Sequence, residues 1–273
     1  MRRLRAACGG LVGKLLQRSM PGRNNQISVV DILRRVAALL AAATAEGALV
    51  ANRLFWGNHE VTQDASRAYA LALAASRIQC AHNKGVLGSC YSYGKGVNED
   101  RTRGFELAMQ SAASDSCYGN FIVGKCFDAG WGAAQDHDAA DFFMERAANQ
   151  RHPNAQYIRA AKILEQPATP QTDAIITSLL RAAADQGHKS AQYKLGVMYY
   201  KGRGVARDYN EAARLYRLAA AQGYADAQFN LGYFYEKGIS VPRDREQAIC
   251  LYRVAAESGR SMAATLALRR LGG

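Results

Sequence analysis

Apolar residues recur along this chain with helical spacing. From Val29 onward, alanine-rich stretches place them three and four positions apart, strict alternation of Val, Ile and Thr is absent, and prolines number five in 273 residues. The pattern predicts an all-α protein.

A longer period lies over the helical one. Leu195-Gly196, Tyr199, Gly202-x-Gly204-Val205, Asp208, Ala212, Leu215-Tyr216, Ala219-Ala220 and Gly223 form a frame. Thirty-six residues later it returns as Leu231-Gly232, Tyr235, Gly238, Val241, Asp244, Ala248, Leu251-Tyr252, Ala255-Ala256 and Gly259. Earlier copies read Leu87-Gly88, Tyr91, Gly94-x-Gly96-Val97, Asp100 and Ala112, then Val123-Gly124, Phe127, Gly130-x-Gly132, Asp136, Ala140, Phe143 and Ala147-Ala148. Between them the match survives only at Ala183-Ala184 and Gly187-His188, because Pro167-Ala168-Thr169-Pro170 replaces the glycine turn. Such periodicity defines a repeat array, in which each unit buries its apolar face only by stacking on its neighbours.

The frame has local physical reasons. A glycine inside a helix costs about 1 kcal/mol relative to alanine, so Gly88, Gly124, Gly196 and Gly232 require close approach of a second helix. Ala140, Ala212 and Ala248 keep that facing helix small. Gly-x-Gly ends the first helix, and Asp208 with Glu211 and Asp244 with Gln247 read as N-cap and capping-box pairs for the second.

These residues resemble the Sel1-like repeat family, relatives of tetratricopeptide repeats with a longer loop inside each unit. The resemblance implies a right-handed α-α superhelix, a solenoid of five to six 36-residue helix-turn-helix units. Its array spans 45–260, with 81–116, 117–152, 189–224 and 225–260 well formed, 45–80 degenerate and 153–188 divergent. Residues 28–44 are expected to cap one end and 261–273 the other. The resemblance also implies a scaffold or adaptor that holds a partner protein or peptide on its concave surface.

If Leu195, Gly196 and Tyr199 point into the stack, Tyr193, Val197 and Tyr200 share another face of the same helix. In tetratricopeptide relatives that face lines the groove. Its counterparts one unit on are Phe229, Tyr233 and Glu236, and two units back Phe121, Lys125 and Asp128. With Lys194, Lys201 and Lys237 alongside, the face suits a peptide carrying apolar anchors and some acid. The competing reading packs Tyr193 and Phe229 against the neighbouring unit.

Net charge of +12 changes this picture little once it is located. Residues 1–36 hold eight basic residues against the single acid Asp31, and the other positions hold 27 basic and 22 acidic. No basic face along the body, and so no nucleic-acid partner, is indicated. Residues 1–27, acid-free with interleaved Leu and Arg, have the composition of a mitochondrial transit peptide, with an untargeted, cytoplasmic protein as the alternative. The bland stretch from Val36 to Ala45 is far short of the roughly 20 residues that span a bilayer.

Candidate chemistry is sparse. Gly94-Lys95-Gly96 and Gly202-Arg203-Gly204 are repeat turns without the remainder of a phosphate loop, and the histidines form no metal-ligand pair. No cofactor is expected. His152 and His188 share a repeat position with Tyr224, which points to structural roles. The alternative function is a repeat-based hydrolase resembling the cysteine-rich Sel1-repeat β-lactamases. Against it, Cys80 and Cys90, like Cys117 and Cys126, stand nine or ten residues apart on one helix, about 14 Å, beyond disulfide reach. Buried free thiols and a non-enzymatic protein are the expectation.

Overall fold

The computed structural model describes residues 48–52, 55–56, 64–76, 81–257 and 261–271. The leader 1–27 and the expected cap 28–44 lie outside the described residues. Among the described residues every regular element is a helix and no strand occurs. Residues 48–52 and 55–56 are helical, followed by α1 (Ala65–Ser76). Five helix pairs succeed it: α2 (Ala81–Tyr93) with α3 (Arg101–Ala113), α4 (Cys117–Ala129) with α5 (His137–Asn149), α6 (Pro153–Leu164) with α7 (Pro170–Asp185), α8 (Lys189–Lys201) with α9 (Tyr209–Ala221), and α10 (Ala225–Lys237) with α11 (Arg245–Glu257). The last helix is α12 (Met262–Leu271), in the segment expected to cap the array. Each helix packs on the next in sequence, so the second helix of one unit carries the first of the following unit. No described helix is long and apolar enough to cross a membrane.

The mid-helix glycines mark close approach. A Cβ on Gly88 would lie 2.9 Å from the Gly104 carbonyl oxygen on α3, and one on Gly124 would lie 3.2 Å from the Ala140 carbonyl oxygen on α5. In the last two units a ring from the second helix fills the space instead. Tyr216 lies over Gly196 and Tyr252 over Gly232. Tyr216 and Phe234 are each 1% exposed, and burying a ring of this kind contributes about 2–3 kcal/mol.

The two glycines of Gly-x-Gly do different work. Gly202, at φ +70° and ψ 35°, is a left-handed C-cap whose N–H donates to the Met198 carbonyl. Gly204 touches the preceding unit: a Cβ there would lie 2.7 Å from Thr177 Oγ1 and 2.8 Å from the Asp173 carbonyl oxygen. Gly132 meets Arg101 on α3 and Gly96 meets Ala65 on α1 in the same way. The residue between the glycines ties adjacent units together, as Arg203 donating to Asp173 Oδ1 at 2.8 Å and as Trp131 beneath the Arg101 guanidinium.

Asp100, Asp136 and Asp208 cap α3, α5 and α9, each accepting backbone N–H bonds on its side chain at 2.9–3.0 Å. Asp244 accepts likewise from the Gln247 N–H at 2.9 Å. The box expected at Asp208 is not completed by Glu211, whose carboxylate is held at both oxygens by Arg214. A reciprocal box forms instead between Thr169 and Thr172, at the start of α7. That box, with Pro170 at the first helical position, begins the helix without the usual glycine loop. The divergent segment 153–188 thereby folds as a helix pair. Its Ala160 and Ile176, at the usual glycine and alanine positions, are both fully buried.

A column of side-chain amides repeats at the same period. Asn120 donates to Gln150 Oε1 at 2.8 Å, Gln186 to Gln156 Oε1 at 3.1 Å and Gln222 to Gln192 Oε1 at 2.8 Å. Each pair joins a first helix to the C-cap of its own second helix.

Candidate functional site

The aromatic face of the last two units is assembled by α8 and α10. Tyr193, Val197, Tyr200 and Tyr233 are half-buried against one cluster containing Tyr216, Leu231 and Phe234. The Tyr193 ring lies 5.0 Å from Tyr224 and 6.0 Å from Tyr216, centroid to centroid. Tyr200 spans two units, with Tyr209 at 5.5 Å in its own and Phe234 at 5.8 Å in the next. Phe229 sits in the following cluster, 5.4 Å from Tyr252 on the second helix of its own unit.

The charged members divide by burial. Lys201 and Lys237 are exposed and Lys194 is half-buried. Glu236 is 7% exposed, accepting from Tyr252 Oη at 2.9 Å, from Arg270 at 2.5 Å and lying 2.9 Å from Lys237 Nζ. Burial alone would raise its pKa, but hydrogen bonds from Lys237 and Tyr252 and the Arg270 charge outweigh it and hold the group below its ordinary value. Its charge is consumed within the fold, leaving the exposed lysines to set the sign of the face. Lys237 Nζ also stands 5.9 Å from the Tyr233 ring centroid. On the earlier unit, Phe121 is buried and the Lys125–Asp128 pair closes on itself at 3.0 Å.

A cavity elsewhere was not anticipated from the sequence. A cavity of about 490 Å³ opens where the first helices α4 and α6 begin, with Trp56, His82, Tyr118, Arg151 and His152 in its wall. His152 is 1% exposed, its ring stacked on Phe121 at 4.3 Å and edge-on to Tyr118 at 5.3 Å. Burial, helped by the neighbouring His188, depresses its pKa to about 3. Burial likewise takes His188 to about 4 and lowers His82. The signal in the sequence was the N-cap column His152, His188 and Tyr224, and its structural role is real: His188 Nδ1 accepts from the Ala191 N–H at 3.2 Å.

The described cysteines Cys90, Cys117, Cys126 and Cys250 are free thiols. Burial raises Cys90 to about 12 and both Cys117 and Cys126 to about 11. Among the described residues no group of His, Cys, Asp and Glu is placed to hold a metal ion.

Stacked helix pairs joined by glycine loops, with a half-buried aromatic face, define an α-helical repeat protein. The Sel1 repeat model matches residues 48–77, 86–116, 118–152, 189–224 and 225–259, and the chain belongs to the Sel1 repeat family. Proteins of this family generally mediate protein–protein interactions and are typically non-catalytic scaffolds. No curated protein matches the sequence. Among solved structures, a Sel1 repeat protein from Oxalobacter formigenes is 27% identical with a TM-score of 0.61, over 84% of this chain and 65% of that one. The c5321 protective antigen of uropathogenic Escherichia coli, which displays an SLR fold, is also 27% identical, with a TM-score of 0.58 over 89% of this chain and 51% of its own. This chain thus spans about half to two thirds of those two relatives. The immunity protein Pa5087 of Pseudomonas aeruginosa, 18% identical with a TM-score of 0.50 over 79% of this chain and 81% of its own, shares the fold.

Proposed function

We propose that this chain is a protein-binding adaptor whose partner docks on the first-helix face of units 189–224 and 225–260. The observation that carries the reading is the row Tyr193, Val197, Tyr200 and Tyr233, held half-buried in one cluster and flanked by exposed Lys201 and Lys237. Rings anchored on one edge and open on the other give contact area at little entropic cost, which is what interface anchors require. With Glu236 neutralised inside the fold, the partner segment is acidic and carries apolar side chains. Phe229 packs in the following cluster against Tyr252, and Glu236 is paired with Lys237 and Arg270.

The test is a Tyr200→Ala, Tyr233→Ala double variant in a crosslinking capture experiment with the full chain. Lost capture at unchanged melting temperature supports a docking face. A drop of several degrees with capture intact would mean that these rings serve only the stack.

A further inference from the structure

The residue between the glycines of a Gly-x-Gly turn reaches back to the preceding unit. Arg203 meets Asp173, 30 residues earlier, and the same step takes Trp131 to Arg101. From Lys95 that step arrives at Ala65, whose carbonyl Gly96 lies against, and alanine offers no charge. Among the described residues no Asp or Glu pairs with Lys95. Its ammonium sits among rings instead. Lys95 Nζ stands 4.9 Å from the Phe55 centroid, 5.5 Å from that of Trp56 and 5.9 Å from that of Tyr93. The same three rings pack edge to face on one another, with interplanar angles of 77°, 62° and 81°. Three ring faces set steeply to one another around one cation make the walls of an aromatic cage, and their quadrupoles attract positive charge.

We propose that Phe55, Trp56 and Tyr93 form a binding site for a methylated ammonium group, with Lys95 as its displaceable internal occupant. Lys95 lacks the ion pair that fixes Arg203, and it rides on the turn between α2 and α3, outside any helix. Trp56, Tyr93 and Lys95 are each half-buried, so the site opens at the surface when the lysine swings aside. Chemistry sets the preference for methyl groups. A primary ammonium among rings keeps N–H donors that want acceptors, whereas a quaternary ammonium has none to satisfy and sheds its water more readily. A small free ammonium and the side chain of a trimethylated lysine offer the same head group.

Ligand-observed NMR titration of the full chain, and of Lys95→Ala, which empties the cage, provides the test. The probes are tetramethylammonium, the uncharged tert-butanol of similar size and shape, and N-acetyl-trimethyllysine amide. Lys95→Ala should bind tetramethylammonium at least about tenfold more tightly than tert-butanol, because only the cation gains from the ring faces. It should also bind the cation about tenfold more tightly than the parent chain, in which the tethered lysine competes. Trp56→Leu in the Lys95→Ala background should remove the preference for the cation. Should Trp56→Leu lower the melting temperature, the comparison of cation and alcohol on Lys95→Ala alone decides. Equal binding of tetramethylammonium and the trimethyllysine amide supports a small free ammonium as the natural occupant, and tighter binding of the amide supports a modified lysine side chain. Absence of saturable binding by Lys95→Ala, equal affinity for cation and alcohol, or equal affinity of parent and Lys95→Ala for the cation would each overturn the proposal.

Discussion

A Cβ on Gly196 would lie 2.8 Å from Cε1 of Tyr216, so the helix pair of unit 189–224 closes over one missing methyl group. Gly196→Ala therefore forces a buried ring to move, although alanine is the better helix former. We expect a loss of about 1–3 kcal/mol for Gly196→Ala and more for Gly196→Leu, against less than about 0.5 kcal/mol for exposed Lys201→Ala. Equal melting temperatures for the glycine and lysine variants would refute the packing argument.

Ser240 stands where the other units have Gly96, Gly132 and Gly204, and it adopts the same left-handed backbone at φ +60°. A side chain in that region costs roughly 1 kcal/mol. Ser240→Gly should therefore stabilise the chain by up to about 1 kcal/mol, reduced by the contact that Ser240 Oγ makes with Asn210. A lower midpoint in urea for this variant would show that the contact outweighs the strain.

His152 and His188 make stability depend on pH. Their folded pKa values of about 3 and 4 lie below the ordinary 6.5, so between those values the unfolded chain binds more protons than the folded one. Their contribution is complete above pH 6.5 and falls as pH drops, by up to about 1.4 kcal/mol per unit for each histidine. Glu236, with its folded pKa lowered, contributes above its unfolded value of 4.5 and loses that contribution only at lower pH. Melting temperatures between pH 7 and pH 5 should therefore report the histidines. His188→Tyr, which places there the residue found at Tyr224, should flatten the slope even as it removes the cap on Ala191. A slope identical to that of the parent chain would dismiss this account.

The cysteines should react unequally. Cys250 is exposed, whereas burial withholds the thiolates of Cys90 and Cys126. Brief alkylation followed by peptide mass spectrometry should mark Cys250 heavily, and Cys90 and Cys126 only after denaturation. A chromogenic β-lactam should remain uncleaved throughout. Turnover that survives repurification, or rapid labelling of Cys90, would restore the hydrolase alternative.

Much of the fold was legible because its instructions are local and repeated. Asp208 and Asp244 announce helix starts, and Gly202 announces a helix end, through backbone groups within a few residues. Legibility failed where another helix supplies the partner or where one unit uses a local device that the others lack. Gly104 is not part of the repeating frame, yet a Cβ there would lie 2.2 Å from Ser92 Oγ across the α2–α3 contact. The weak frame of 153–188 hid a complete helix pair because Thr169, Thr172 and Pro170 start the second helix by a different local device. Of the aromatic face, the spacing of Tyr193, Val197 and Tyr200 was readable, but the internal pairing of Glu236 was not, since Arg270 comes from α12, 34 residues away.

The sequence by itself determined the 36-residue unit, its two helices and their caps, since each depends on contacts within a turn or two of chain. Only the tertiary structure decided which rings fill the glycine gaps, that Lys237, Tyr252 and Arg270 converge on Glu236, and that Trp56, Arg151 and His152 border one cavity. Those relations depend on how rigid helices meet within a unit and across successive units. Side-chain size and direction at each junction set the meeting, and a periodic pattern repeats the helices without specifying what fills the space between them.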